Sequence, residues 1–465
     1  MAGQRRRGKF SDFVIVGAAL YAAAVLTYAW LRRSFLPAAG LAAFAVLPAV
    51  FLVLCAAMLR RSPAARARFA LAVAVTGAGL YALEAFLLLS SGERLLSRAR
   101  ASAAAREGVR FDTRPKREVV ADLRAAGVEA YPTFHPSLIV ELNGLEPKTG
   151  GPLFPLAGVS RKTTVFDNES GTYTVYMSDE KGFNNPTGLW ESGSVDVALI
   201  GDSYVQGFAV ARHETLAGRL REAGVRAISL GIGGSGPLIE LATLREYAAF
   251  LQPPVVLWFY HELTDIPDLV SESGSPFLLQ YLQPGFSQNL VSRQQEIDRR
   301  LIAHIGAAEK RRFAAGVKEF IKLYHLRLRL GFGGLMGTPP LTAPPPLFGV
   351  VMRSAREAVS GWDGVLYAVY LPDWTRYARE TGAGNYAFRR EVLDALQDAG
   401  VPVLDMHEAV FARHPDPLSL FPFRLFGHYS AEGYALVAEE LARRLRQDGV
   451  AGTPADSAGG KADGS

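Results

Sequence analysis

Four short stretches of the sequence carry side chains able to do chemistry. Gly201-Asp202-Ser203 offers a serine hydroxyl, and Gly427-His428-Tyr429 offers an imidazole. Gly231-Ile232-Gly233-Gly234-Ser235-Gly236-Pro237 is a glycine-rich turn, and His261-Glu262-Leu263-Thr264-Asp265 is a polar loop. A serine hydroxyl is a weak nucleophile until a base takes its proton. An imidazole titrates near neutral pH and suits that task. Acyl transfer passes through an oxyanion, which needs donors aimed at it. The backbone amides of Ser203 and Gly234 are two candidates, and the Thr264 hydroxyl is a third. A glycine at 234 lets the backbone approach without a Cβ. The set points to ester chemistry, with Ser203 as nucleophile and His428 as base. No Walker A motif, metal-binding spacing or dinucleotide fingerprint appears, so no cofactor or metal is expected.

These residues need elements that bring them together. Short, mostly apolar runs at 195–200, 227–230, 255–260, 365–371 and 401–404 read as parallel strands covered on both faces. Helical patterns lie between or after them, at 213–223, 238–251, 386–399 and 431–447. Strand–helix alternation predicts a three-layer α/β sandwich. Open α/β sheets bind ligands at the carboxyl ends of their strands, which is where the four stretches fall. Residues 191–449 form this domain. The interval 270–350 breaks its rhythm with an amphipathic helix over 292–324 and a Gly/Pro-rich loop, and reads as an insertion that caps the site. Residues 93–190 read as a connecting helix over 91–120 and an irregular extension. Within it, Tyr173, Val175 and Met177 alternate on one face of an edge strand. The tail 450–465 reads as disordered.

Residues 195–446 resemble the SGNH (GDSL-type) hydrolases. Ser203 matches the nucleophile of that family's first block, Gly234 the oxyanion glycine of the second, and His428 the base of the last. Ala431-Glu432-Gly433-Tyr434 resembles the helix entry that follows. Ser178-Asp179-Glu180-Lys181-Gly182-Phe183-Asn184-Asn185 resembles a segment upstream of this domain in bacterial exopolysaccharide-associated members. The resemblance implies a flavodoxin-like α/β/α fold and esterase, lipase, carbohydrate deacetylase or O-acyltransferase chemistry. Two positions depart from it. Glu262-Leu263-Thr264-Asp265 stands where relatives usually read Glu-Gly-Asn-Asp, so Thr264 replaces the oxyanion asparagine. The family's acid lies two or three residues before the histidine, where this chain has Phe426 and Leu425. A backbone carbonyl, Asp405 or Asp416 are the candidates to orient His428. Asp405 also suits a helix cap, and His261 matches no family role.

The first ninety residues have a different character. Apolar stretches at 13–31, 35–59 and 69–89 are each long enough to cross a bilayer. Four basic residues precede the first stretch (Arg5, Arg6, Arg7, Lys9), two follow it (Arg32, Arg33) and four follow the second (Arg60, Arg61, Arg66, Arg68). That 4–2–4 pattern predicts three membrane spans within 1–92, a cytoplasmic N-terminus and a hydrolase domain outside the cytoplasm. Glu84 lies inside the third stretch, as a functional acid or as one reaching the interface. Residues 1–110 hold 15 Lys/Arg against 4 Asp/Glu, and the remainder 35 against 41. The pI of 9.2 therefore reflects membrane flanks and excludes a nucleic-acid partner. One cysteine, Cys55, excludes an internal disulfide.

The expected protein is a membrane-anchored serine esterase or O-acyltransferase of the bacterial inner membrane. Its substrate is an acylated cell-envelope carbohydrate. Its partners are the lipid bilayer and, by family analogy, a membrane acyltransferase. Two alternatives stand beside it: a degenerate domain that binds glycan or that partner, and a lipase acting on membrane lipids.

Overall fold

The computed structural model describes residues 2–31, 38–89, 92–145, 151–191, 193, 195–329, 341, 343–378 and 386–449. The tail 450–465, Arg32, Arg33 and the side chains of Arg5, Arg6 and Arg7 lie outside the described residues. The chain divides into two compact units. One is Met1–Leu96 with Ala308–Thr342, and the other is Ser97–Ala307 with Ala343–Ser465.

The first unit is built on helices Ala2–Leu31, Ala38–Leu59 and Pro63–Leu89. Among the described residues, two segments are long and apolar enough to cross a membrane, Lys9–Trp30 and Pro63–Leu89. Of the three expected spans, these two are shown. Ile15, Cys55 and Ala70 form the small interior. Phe13, Leu20, Trp30, Leu71, Val75 and Phe86 remain exposed, the pattern of helices that are apolar all round.

The stretch Ala308–Thr342, part of the interval expected to cap the site, belongs to this unit. Helix Gln294–Ile321 begins in the second unit and ends here. The Tyr21 and Tyr81 hydroxyls donate to the Ile321 carbonyl at 3.3 and 3.0 Å. Phe320 packs on Tyr81, and Lys322 lies over the Tyr28 ring. Glu84 is fully buried and accepts from the His325 and Leu326 amides at 2.9 and 2.7 Å. It therefore caps helix Tyr324–Arg329.

The second unit opens with helices Gly92–Arg106, which starts in the first, and Lys116–Ala125. The single connecting helix expected over 91–120 is thus two, broken before Pro115, which has no amide to donate. A small sheet follows. Strand β1 (Ala130–Pro132) pairs parallel with β2 (Thr163–Val165), which pairs antiparallel with β3 (Val175–Met177). β3 is an edge strand, as its alternation predicts, but it buries Tyr176 and exposes Val175 and Met177. A polar partner decides the face: Gln206 Nε2 donates to the Tyr176 hydroxyl at 2.7 Å.

The main sheet has five parallel strands: β4 (Val197–Ile200), β5 (Ala227–Ser229), β6 (Val255–His261), β7 (Val365–Leu371) and β8 (Val403–Asp405). Their order is β5-β4-β6-β7-β8. Counted from the first, that is 2-1-3-4-5, the flavodoxin-type order, whose ligand crevice lies beyond the ends of the first and third strands. Val197, Leu199, Leu257, Phe259 and Val369 pack on helices Leu216–Glu222 and Ala431–Gln447. Trp258, Tyr260 and Tyr370 point to the opposite face, where Phe348 of helix Leu347–Ser360 meets Tyr260.

Candidate active site

Ser203 stands three residues beyond β4, at the start of the short helix Ser203–Gln206. Asp202 caps that helix, accepting from the Tyr204 amide at 2.9 Å. His428 precedes helix Ala431–Gln447, whose cap Ser430 accepts from the Gly433 amide. The Ser203 Oγ lies 2.7 Å from His428 Nε2. Phe208 stacks on the imidazole, with centroids 3.9 Å apart, and Tyr204 packs beside it. These rings fix the plane in which the base meets the hydroxyl.

The other side of the imidazole carries the acid that the sequence motif lacks. Glu169, from the turn between β2 and β3, sets Oε2 3.2 Å from His428 Nδ1. The same oxygen accepts from the His428 backbone amide at 2.7 Å. With Nδ1–H donating to Glu169, Nε2 is left as the acceptor facing Ser203, which is the tautomer a base requires. Burial pushes the Glu169 carboxyl up, but His428 and the Arg100 guanidinium outweigh it and hold the group below the usual range. Arg100 donates to Glu169 Oε1 at 2.5 Å and to the Phe426 carbonyl at 2.8 Å. A Cβ on Gly427 would lie 2.6 Å from Glu169 Oε2, so a glycine is needed where the acid crosses the histidine loop.

Asp405 and Asp416 do not reach His428. Asp405 caps helix Met406–Ala409 and pairs with Arg389. Asp416 pairs with Arg424 at 2.6 Å. Asp405 is a cap and an ion-pair partner and Asp416 an ion-pair partner, and at His428 Nδ1 a carboxylate stands where a backbone carbonyl was the other candidate. Sequence spacing missed Glu169 because it lies 259 positions from His428. The signals pointing to it were indirect: a missing acid beside a glycine, and a polar turn at Asp167-Asn168-Glu169-Ser170-Gly171.

The glycine expected on the oxyanion side lies in the turn after β5. Gly234 has φ +74°, and a Cβ there would lie 2.6 Å from Ser137 Oγ, so both conformation and space call for glycine. The Gly233 amide donates to Gln206 Oε1 at 2.6 Å, which ties the turn to the nucleophile's helix. Thr264 sits beyond β6, as expected, and its hydroxyl has three polar neighbours. It lies 2.8 Å from His261 Nδ1, 3.3 Å from Asp265 Oδ1 and 3.5 Å from Asp202 Oδ2. The Asp265 and Asp202 carboxylates compete for the one hydroxyl proton that the expected oxyanion role would use. His261 stacks on Tyr204. Burial, with His428 nearby, pulls it down to about 3 and keeps it neutral. Glu262 is structural, taken by Arg376, the Tyr370 hydroxyl and the Asp373 amide.

No protein-family model matches the chain, and no curated protein does. Among solved structures, a lipolytic protein of the G-D-S-L family from Desulfitobacterium hafniense DCB-2 is similar at 14% identity and TM-score 0.27, over 53% of this chain and 97% of that one. A lipase/acylhydrolase from Enterococcus faecalis is similar at 12% identity and TM-score 0.32, over 56% of this chain and 98% of that one. Scores this low carry no weight for fold or chemistry, and the geometry of the site stands on its own. Among the described residues, no group of three or more His, Cys, Asp or Glu side chains is arranged to hold a metal.

Proposed function

We propose that the protein is a membrane-associated serine ester hydrolase or O-acyltransferase whose triad is Ser203, His428 and Glu169. One observation carries this: an unbroken series of contacts runs from Ser203 Oγ through His428 to Glu169 and Arg100. In the first half-reaction Ser203 Oγ bonds to the acyl carbon and its proton passes to His428 Nε2. The carbonyl electron pair moves onto oxygen, beside the amides of Ser203 and Gly234. Glu169 accepts from Nδ1–H and stabilises the imidazolium. Collapse expels the alcohol, which takes the proton from Nε2 and leaves an acyl-Ser203. Water or a sugar hydroxyl then gives its proton to Nε2 and attacks the acyl carbon. The second collapse returns that proton to Ser203.

We extend the reading to an O-acetylated cell-envelope carbohydrate as substrate, on the resemblance at 178–185, and to a membrane acyltransferase partner by the same analogy. The apolar helices supply the membrane. Counting Ala38–Leu59 as a third span puts the second unit outside the cytoplasm. The test uses the full chain in detergent micelles with a chromogenic acetyl ester and a fluorophosphonate probe. Labelling and turnover should both vanish in Ser203→Ala. A folded wild-type chain that neither labels nor turns over would refute the reading in favour of a binding domain.

A further inference from the structure

We infer that Arg100, on the helix that directly follows the apolar segments, is a positioning residue that seats Glu169 against His428. The inference rests on the serine-ester reading above. Arg100 is nearly buried, with 11% of its side chain exposed, and it touches no reacting atom. Its one nitrogen Nη2 bridges two things: Glu169 Oε1 and the Phe426 carbonyl, two residues before His428. The acid and the histidine loop are thereby pinned to each other through a third element. Room for this exists because Gly427 has no side chain, since a Cβ there would also lie 2.9 Å from the Arg100 nitrogen.

The backbone after Arg100 holds the same turn from below. The Asp112 amide donates to the Gly171 carbonyl at 2.8 Å, and Asn168 Nδ2 donates to the Asp112 carbonyl at 2.9 Å. A Cβ on Gly171 (φ +119°) would lie 2.8 Å from the Arg110 carbonyl. The stretch 100–112 is therefore a cradle for the Glu169 turn, and it is the first part of the second unit that the chain reaches. The hydrolase domain takes its acid from a turn outside its own sheet and has that turn seated by the chain leaving the apolar helices.

The charge has a consequence as well as the geometry. The groups that face the His428–Glu169 pair are Arg100, Asp202, His261, Tyr204 and Tyr434. His261 is held neutral, and burial pushes both tyrosine hydroxyls up, so they stay neutral too. Among these described groups Arg100 is the one cation, and a guanidinium carries its charge at any working pH. Removing it leaves the pair with a higher affinity for protons. The acidic limb of kcat/KM, which marks protonation of the pair, must then move to higher pH.

The test compares the full wild-type chain with Arg100→Ala, Arg100→Lys and Ser203→Ala, using the acetyl ester across pH 4–9. In Arg100→Ala, kcat should fall about 10²-fold, the loss expected of a base displaced by about 1 Å. KM should change little, and the acidic limb should rise by about one pH unit. Added guanidinium ion should recover part of kcat and return the limb toward wild type. Arg100→Lys should keep the wild-type limb with a lower kcat. An Arg100→Ala chain with the wild-type limb overturns the inference, as does a loss that guanidinium cannot recover, because a misfolded chain gives that result. Absence of Ser203-dependent turnover in the wild type overturns the serine-ester reading and this inference with it.

Discussion

A carboxylate on the Nδ1 side of a catalytic imidazole selects the tautomer and stabilises the cation formed when Nε2 takes a proton. Glu169 is placed for both, with one oxygen shared between the ring and the backbone amide of His428. Glu169→Gln keeps the shape and removes the charge. Its amide can also present N–H to Nδ1, which favours the wrong tautomer. We expect kcat to fall by up to about 10⁴-fold, the loss seen when a triad acid becomes its amide, with KM nearly unchanged. Asp405→Asn and Asp416→Asn should retain wild-type turnover, because both side chains serve ion pairs away from His428. Activity lost in Asp405→Asn or Asp416→Asn but kept in Glu169→Gln would reverse the assignment. The proposed triad was half legible in the sequence. Ser203 and His428 sit in local motifs, whereas Glu169 has no spacing that ties it to either. Thr264 shows the converse limit: its place in the loop was legible, but the direction of its hydroxyl depends on His261 and Asp202, which only the fold brings to it.

At the level of elements, helices Pro237–Thr243 and Asp265–Glu272 enclose an acidic interior behind the nucleophile. Glu240, Asp265 and Glu272 are buried there beside Asp202 and Asp268. Glu272 accepts from the Gly236 and Leu238 amides, while Glu240 finds no hydrogen-bond partner among the described residues. Burial, then neighbouring acids, pushes Asp268 up to about 7 and Glu272 up to about 8, and raises Glu240 and Asp265 as well. A carboxyl raised in the folded state stabilises fully below its unfolded value near 4, and that contribution is lost as pH climbs through the folded value. The second unit should therefore melt at a lower temperature at pH 8.5 than at pH 5.5. Glu169, held low, has the opposite sign, but its contribution is lost only below about pH 4. Glu240→Gln removes one of the buried acids, so its melting temperature should rise at pH 8.5 and the difference between the two pH values should shrink. Thermal unfolding by circular dichroism reads this directly, and an unchanged difference would rule the cluster out as its source. None of this was legible from the pattern, because an acid on a helix reads as a solvated face until packing buries it. The strands were legible, since β4 to β8 are short, mostly apolar runs, and β4, β5 and β6 are buried on both faces. The face of β3 was not, because one buried hydrogen bond from Gln206 outweighs the exposure of Val175 and Met177.

The whole molecule has one chain serving two units, and each is interrupted by the other in sequence. The interval 270–350 reads in the sequence as an insertion that caps the active site, and its part Ala308–Thr342 falls in the helical unit. Within that unit it is held by polar groups on apolar helices: the Tyr21 and Tyr81 hydroxyls, and above all Glu84. That assignment separates two otherwise similar expectations. If the excursion were a cover for Ser203, loosening it would change turnover. If it is an integral part of the helical unit, loosening it changes only its own order. Glu84→Leu removes the acceptor for the His325 and Leu326 amides without adding a charge. Hydrogen bonds to a charged acceptor contribute about 1.5–3 kcal/mol each, so losing them should raise the open population of this segment by about tenfold or more. Trypsin acting on the full chain in micelles should then cut at Lys318, Lys322 or Arg327 at least about tenfold faster than in wild type. Fluorophosphonate labelling of Ser203 in the same sample should proceed at the wild-type rate. Faster cleavage accompanied by altered labelling would restore the cover, whereas unchanged cleavage would mean that Glu84 does not hold the segment. The Glu84 carboxylate is fully buried with amide donors on both oxygens, and a charge placed so is costly to strand, which is why the segment and the helices are expected to open together only when that acceptor is gone.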